Sequence, residues 1–572
     1  MDRHSLKSSL PILAITILYS FTLSTSLGPG DSGELTAVAY RLGVAHPPGY
    51  PLFTLLGHLF TLIPSGSIAF RTNLLSMVAG IMALLTLSRI LRSDRTLSIL
   101  APLTLAFSFT FWAESSTFEV YTFELLLLLL SIYFLLRFAD SGRESHLLMG
   151  LFTIGLGISH RPTFLLYLPG LLYLILPQRD KIGWVSLSLA SLFLLLPLTS
   201  FLYLLIRAQH HPPLNWGNPD SFIRLINHAT GAQYRSFLFT LPLSQVVHRL
   251  THLPPLLLRE FSPLLLLSLP GLYYFYTRWR RVFFALLLIA GANLIYTINY
   301  DIPDYDVFLL PTFLFIGLLL SSGLAFLIQW IGSRFGQLLS LLLLIPLSIN
   351  LRNHQENRYP YLYDVAINLW RSIPDRAIFF CSSSTNINCL LYLQHVEGRK
   401  KGIDIVYYDM LGSLDYLTRL GKRIRLRPAT GPEMIATVVE LNPDRPVVIG
   451  IDLMKEALQL SDHYQLIPHG LITIITRDSV DRMSIVSKND SLWQRFQIHR
   501  IMRHRLPRTR AGKSQMIYGI ALNNLGAYYL NQGWYDEAQR ILKFALHFPN
   551  RPDVEMVIRR NLALSSKRSN PR

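Results

Sequence analysis

Apolar residues fill most of the first ~350 positions in runs of the length that crosses a hydrocarbon core, separated by short polar breaks. The runs predict membrane helices at 10–27, 68–91, 97–112, 120–136, 147–159, 163–176, 183–206, 261–277, 282–298, 307–328 and 337–350. A further stretch, 51–64 (PLFTLLGHLFTLIP), is shorter and closed by proline at both ends, which predicts a helix lying in the interface or re-entering. After residue 350 the pattern changes. Short β-type runs at 377–380, 403–408, 445–452 and 471–476 alternate with helical stretches, predicting an α/β domain over 351–510. The segment 511–572 reads as helical, with Leu525, Gly526, Tyr529, Gly533, Ala538, Leu542 and Ala545 at tetratricopeptide spacing. One such repeat is fewer than the ~3 that stand alone, so it should pack on the preceding domain or on a protein partner. The fold class is therefore an α-helical polytopic membrane protein of about eleven spans, followed by a soluble α/β domain and a tetratricopeptide-like hairpin.

Composition agrees. Of 572 residues, 51% are hydrophobic and 15% charged, against about 25% charged in soluble domains, which excludes a purely soluble enzyme and a disordered chain. The net charge of +18 has no nucleic-acid recognition motif beside it and reads as membrane topology. Counting span by span, one side receives Arg3, Lys7, Arg89, Arg92, Arg95, Arg137, Arg143, Arg179, Lys181, Arg278, Arg280, Arg281 and Arg334. The positive-inside rule makes that side cytoplasmic. The segments 28–67, 113–119, 160–162, 207–260 and 299–306 fall on the other. An odd span count puts the soluble domain outside too, and its basic character with short loops points to a bacterial plasma membrane. The first run follows Arg3 and Lys7 but ends in no small-x-small cleavage site, so a retained helix is expected over a signal peptide. Cys381 and Cys389 are too few for a zinc site or a disulfide framework and leave one bridge open.

The unusual polar residues collect on the external side. In Gly28-Pro29-Gly30-Asp31-Ser32-Gly33-Glu34 two carboxylates share one face of a helical turn, placed to act as general base or, equally, to form an ordinary helix-start cap. His46 and Tyr50 flank a Pro-Pro-Gly turn that is structural in any case, with binding as a second role. Trp112 and Tyr121 read as interfacial anchors, and Glu119 as an acid facing a cavity. His160-Arg161 interrupts an apolar run. Arg161 either holds a phosphate or snorkels to the lipid surface. Trp216, His228, Tyr234, Asp301 and Asp304 lie in external loops that suit a sugar hydroxyl array or a plain wet surface. The spacing Asp301, Asp304, Asp306 also hints weakly at a divalent cation. No P-loop, G-x-S-x-G, H-E-x-x-H or Rossmann pattern occurs, so the energy of any reaction should arrive with the substrate.

The stretch GPGDSGELTAVAYRLGVAHPPGYPLFTLLGHLF…FRTNLLS resembles the N-terminal signature of a GT-C type membrane glycosyltransferase family, related to the protein O-mannosyltransferase that modifies plexin-type receptors. The likeness extends through FWAESSTFEVYTF, GLGISHRPTF, PPLNWGNPDSFIRLINHATGAQYRSF and YDIPDYDVFLLP, then weakens through NHQENR and LLYLQHVEG. It implies a GT-C fold, a polyprenyl-phosphate sugar as donor, possession of an acidic first external loop, and inversion at the anomeric carbon. Asp31 then becomes the base that deprotonates an acceptor hydroxyl, and Glu34 orients the acceptor or shares that role. His160 and Arg161 for the lipid phosphate follow from their chemistry, not from the resemblance. Where many relatives carry a Gly-Asp-Asn-Asp-Thr-like run, this chain has Ser382-Ser383-Ser384-Thr385-Asn386-Ile387-Asn388-Cys389, without carboxylates.

The leading expectation is a membrane glycosyltransferase moving a sugar, with mannose the first choice, onto a protein or glycan hydroxyl, with membrane lipid around it and no nucleic acid. A lipid-linked substrate transporter or flippase is the alternative, and would show charge deep in the spans and two related halves. A non-catalytic membrane scaffold is the third reading, and would leave Asp31 and Glu34 free to vary.

Overall fold

The computed structural model describes residues 3–332, 334–355, 359–399, 402–503 and 513–569. The expected boundary at 510/511 and the end of the NHQENR stretch lie outside the described residues. The chain forms two compact units, one of Met1–Thr25 with Val38–Arg358 and one of Ser26–Ala37 with Tyr359–Arg572.

The first unit is helical. All eleven predicted segments contain helix, but among the described residues only six are long and apolar enough to cross a membrane: Ile68–Ile90, Tyr121–Ser141, Ser186–Gln209, Leu243–Arg278, Arg280–Ile298 and Tyr305–Ile331. A seventh is the pair Arg95–Ala106 and Phe109–Ser116, bent by 68° where Ser108 takes an extended conformation. The other four segments appear as the shorter helices Leu10–Thr22, Glu144–His160, Leu168–Ile175 and Leu344–His354. Proline causes much of this fragmentation. Pro162 opens a 3-10 turn before Leu168–Ile175, and Pro197 sits in another inside Ser186–Gln209. The proline-bounded stretch at 51–64 forms helix Pro51–Thr61, with Pro51 at a position where no N–H is needed. Large apolar side chains such as Leu266, Leu269, Tyr273 and Trp330 stay exposed on the helices, as a lipid-facing surface requires. This is an integral membrane protein.

Two glycines fix the tightest helix crossing. A Cβ on Gly271 would fall 1.7 Å from the carbonyl oxygen of Leu319, and one on Gly323 would fall 1.8 Å from that of Leu267. The backbones of Ser268–Arg278 and Leu310–Ile331 approach as small residues in membrane helices allow.

The second unit carries a five-stranded sheet: β1 (Ile378–Cys381), β2 (Asp404–Tyr407), β3 (Val447–Gly450), β4 (Gln465–His469) and β5 (Ile472–Thr476), in the order β2-β1-β3-β5-β4. β1 pairs parallel with β2 and β3, while β5 runs antiparallel to β3 and β4. The apolar runs predicted four of these strands. β4 went unpredicted because Gln465, Pro468 and His469 dilute its pattern, and Pro468 is tolerated on an edge strand. One sheet face packs Phe380, Val406 and Ile449 against Met434, Ile435 and Val438. Arg445 pins the amino ends of the parallel strands, holding the Asp404 carboxylate at 2.7 Å and donating to the carbonyl of Arg376 at 2.8 Å. Both cysteines are free and buried. Helices Ile517–Asn531 and Tyr535–Ala545 form a hairpin in which a Cβ on Gly526 would press on Leu542 at 2.6 Å. The hairpin packs on the sheet domain through Trp493 with Phe544 and Phe548, and through Tyr518, whose hydroxyl oxygen accepts from the Asn368 side-chain amide at 2.8 Å.

Replacing Gly271 or Gly323 by valine should therefore destabilise the protein by about 3 kcal/mol or more. Gly291→Ala, where nothing lies within 4 Å of the added Cβ, should leave it unchanged or slightly stabilised; thermal unfolding in detergent separates the three. Burial pushes the Asp364 carboxyl up to about 6, against the pull of Arg500 at 3.9 Å. The folded state thus keeps a proton that the unfolded state releases, so stability should fall as pH rises from about 4 to about 6. Asp364→Asn should flatten that part of a Tm-against-pH curve.

Candidate active site

The acidic pair belongs to the second unit. Gly30 takes φ 71°, a left-handed turn that glycine makes without a Cβ clash, and the chain then enters helix Ser32–Arg41. The Leu35 amide donates to the Asp31 carbonyl at 2.9 Å, which sets Asp31 at the helix start and Glu34 in the first turn. There the helix dipole favours a carboxylate. Glu34 is buried and Asp31 half-buried.

What fixes this segment is helix Ser384–His395. A Cβ on Gly33 would lie 2.5 Å from the carbonyl oxygen of Asn388, so the approach needs glycine. The Asn388 side-chain amide donates at 3.1 Å to both the Gly30 carbonyl and Oδ1 of Asp31. The Gly30 amide donates to Thr385 Oγ1 at 3.3 Å. Tyr407, the last residue of β2, donates its hydroxyl to Asn388 Oδ1 at 3.3 Å. Burial, with Glu34 and Asp31 adding to it, pushes the Tyr407 phenol well above its ordinary range, so it stays a donor. The run without carboxylates, 382–389, thus meets the acidic loop through an amide. At its start, the amides of Ser382 and Ser383 donate to Asp452 Oδ2 at 2.6 and 2.8 Å, closing the turn after β1.

In the first unit, His46, Tyr50 and Trp216 come together. The Tyr50 hydroxyl lies 3.3 Å from His46 Nε2, and the His46 and Trp216 rings stand edge to face at 6.0 Å. Backbone pairing of Val44 with Asn215 and a Trp216 amide donating to the Val44 carbonyl at 3.1 Å tie the two loops. His228 Nε2 donates to the Ala45 carbonyl at 3.0 Å, and its Nδ1 would lie 2.7 Å from a Cβ on Gly217, while Leu204 crowds Gly49.

The His160 ring is tilted against those of Tyr50 and Phe53 at 5.7 Å. Its Nε2 meets the Val120 carbonyl at 3.0 Å, which fixes the proton on that nitrogen. Its Nδ1 is buried without a hydrogen-bond partner among the described residues. That nitrogen offers an acceptor, which fits a hydroxyl better than the phosphate expected from sequence. Arg161 is buried, so it does not snorkel. It donates to Glu124 Oε2 at 2.5 Å and lies over the rings of Tyr121 and Phe308 at 5.0 and 4.5 Å. Glu124 also accepts from Tyr167 at 3.0 Å and Thr163 at 3.3 Å.

Other expectations are corrected. Trp112 is no interfacial anchor: it is fully buried, donates to Thr22 Oγ1 at 2.9 Å and stacks on Tyr19 and His354. Glu119 is buried beside Ser76, whose hydroxyl donates to its carbonyl at 3.0 Å, and Glu124 lines a small cavity with Tyr121, Tyr167 and Phe308. The Asp301–Asp306 run forms no shared cation site, because its acids face different arginines. Asp306 pairs with Arg259 at 3.1 Å, Asp301 lies 4.0 Å from Arg249, and Asp304 precedes the short 3-10 turn Tyr305–Leu309.

Residues missed in the sequence include Glu124, Arg249, Asn388 and Tyr407. A lone acid in the apolar run 120–136 was a usable signal for Glu124. Arg249 donates to the carbonyls of Tyr300 and Ile302 at 2.5 and 3.0 Å, a capping role that no local pattern announces. Asn388 and Tyr407 gave no sign, since each matters only through residues some 350 positions away.

Comparison with known proteins agrees with this architecture. Residues 31–183 match the family model described as the protein O-mannosyl-transferase TMEM260 N-terminal domain. The protein O-mannosyl-transferase TMEM260 of Mus musculus is 28% identical, covering 82% of this chain and 74% of that protein. The tmem260 protein O-mannosyl-transferase of Dictyostelium discoideum is 28% identical over 39% of this chain and 30% of its own length. Among solved structures, ArnT from Cupriavidus metallidurans bound to undecaprenyl phosphate shares the fold at TM-score 0.53 and 12% identity, covering 82% of this chain and 98% of that one. Its apo form gives TM-score 0.54 at 11% identity, covering 83% and 99%. The chain is thus similar in sequence to protein O-mannosyl-transferases and shares the fold of ArnT.

Proposed function

We propose that the protein transfers a sugar, mannose in the first instance, from a polyprenyl-phosphate donor to a hydroxyl of a protein or glycan on the membrane face opposite the arginine-rich loops. Asp31 is the general base. Its carboxylate takes the proton of the acceptor hydroxyl, the oxygen attacks the anomeric carbon, and the bond from that carbon to the phosphate oxygen breaks. The lipid phosphate leaves with the bonding electrons, and the anomeric centre inverts. The observation that carries this reading is the half-buried Asp31 carboxylate, set at the start of helix Ser32–Arg41 with Oδ1 oriented by the Asn388 amide. The donor class is supported by the likeness in fold to ArnT, which was solved with undecaprenyl phosphate bound. His46, Tyr50 and Trp216 supply ring faces and edges of the kind that hold a sugar or an isoprenyl chain. Arg161 keeps further N–H donors beyond the one given to Glu124, and these suit a phosphate oxygen.

The test is turnover of radiolabelled polyprenyl-phosphate sugars by the protein purified in detergent. Wild type should consume one donor, and Asp31→Asn should lower kcat by about 10²–10⁴, the usual contribution of a general base, while the protein stays folded. A wild type that consumes no donor yet moves labelled lipid across liposomes would make it a transporter instead. For Arg161, Glu124→Gln should cost about 3–5 kcal/mol of stability by leaving a buried guanidinium unpaired. The double variant Glu124→Leu with Arg161→Met should recover most of that in thermal unfolding. If Arg161 holds the donor phosphate, the same double variant should raise KM for the donor at least ten-fold.

A further inference from the structure

The geometry points to Asn388 as the positioning residue for the Asp31 carboxylate, held in its own orientation by Tyr407. The inference rests on Asp31 being the base. Asn388 is buried, on the first turns of helix Ser384–His395, and every polar atom of its side chain has a role. The nitrogen spans the Gly30 carbonyl and Asp31 Oδ1, both at 3.1 Å. The oxygen accepts from Tyr407 at 3.3 Å. The Gly30 carbonyl and the Asp31 carboxylate can only accept, so they set the amide nitrogen toward Asp31, and Tyr407 donates to the amide oxygen on the other side. With the ends exchanged, a carbonyl oxygen would face the carboxylate and repel it.

Two consequences follow for the base. The amide fixes Oδ1, which sets the direction in which the carboxylate meets the proton of an incoming hydroxyl. The backbone at Gly30 is fixed by the same amide and by Thr385, so the carboxylate and its peptide are aligned together. Gly33 makes the contact possible, since any side chain there would strike the Asn388 carbonyl.

Asn388→Ala should lower kcat about ten-fold or more with KM for a radiolabelled polyprenyl-phosphate mannose little changed. Tyr407→Phe should lower it several-fold, and adding Tyr407→Phe to Asn388→Ala should bring no further loss. Asn388→Asp sets a second carboxylate against Asp31, so the acid limb of kcat against pH should move up by about one pH unit or more. Glu34 and Tyr407 also face the pair, and Asp409 and Asp452 stand behind Ser382, but none of them changes in this comparison. Hydrogen exchange of the amides at 28–35 provides a readout that needs no substrate, and it should quicken in Asn388→Ala. Unchanged kcat and an unmoved pH limb in folded variants of an active wild type would overturn the positioning role. Quickened exchange in a protein that consumes no donor would keep the contact and overturn the catalytic reading. Unchanged exchange would overturn the contact itself.

Discussion

Asp31, Glu124 and Glu260 each hold a carboxylate away from bulk water, and what meets each one organises its surroundings. A carboxylate taken out of water must find donors or lose its charge. Glu124 finds Arg161, Tyr167 and Thr163, and so links Tyr121–Ser141 to the turn that follows Glu144–His160. Glu260 is fully buried and takes the amide and hydroxyl of Thr110 at 2.8 and 2.7 Å, with Arg259 at 2.9 Å. That contact anchors the short helix Phe109–Ser116 at its bend. Asp31 accepts from the neutral Asn388 amide and is half-buried, so part of its surface stays open.

The membrane unit is a bundle of interrupted helices, and the interruptions carry its polar chemistry. Where Pro162, Ser108 or the Pro47-Pro48-Gly49 turn breaks a helix, backbone groups are released in a poorly solvated place and must be re-satisfied. His160 and His228 serve that end at the carbonyls of Val120 and Ala45, and Arg249 serves it at those of Tyr300 and Ile302. Several polar residues that look like candidate ligands in the sequence are thus partly committed to the backbone.

Much of the architecture was legible because hydrophobicity has a period. The apolar runs gave most helical segments of the first unit, although helices Phe222–Ala229 and Leu243–Phe261 lie in the stretch 207–260 that reads as an external loop, and four strands stood out as short apolar runs. Span lengths were not legible, since a run of leucines says nothing of whether Pro197 will leave a helix straight or drop it into a 3-10 turn. β4 was hidden by its polar ends. The Gly28–Glu34 loop stood out by its punctuation and paired acids. Its partner at Asn388 did not, because an asparagine in a serine-rich turn is ordinary until folding brings Asp31 beside it. The D-x-x-D-x-D spacing misled for the same reason: the arginines that claim Asp301 and Asp306 lie about 50 residues upstream.

The contact between Asp31 and Asn388 closes a loop of 357 residues. During synthesis the acidic segment leaves the ribosome soon after the first helix, while helix Ser384–His395 and β2 are made only after the whole membrane bundle. Until then Gly33 has nothing to press against and Gly30 no amide to receive. The unfinished chain therefore holds its acidic turn without the support that shapes it.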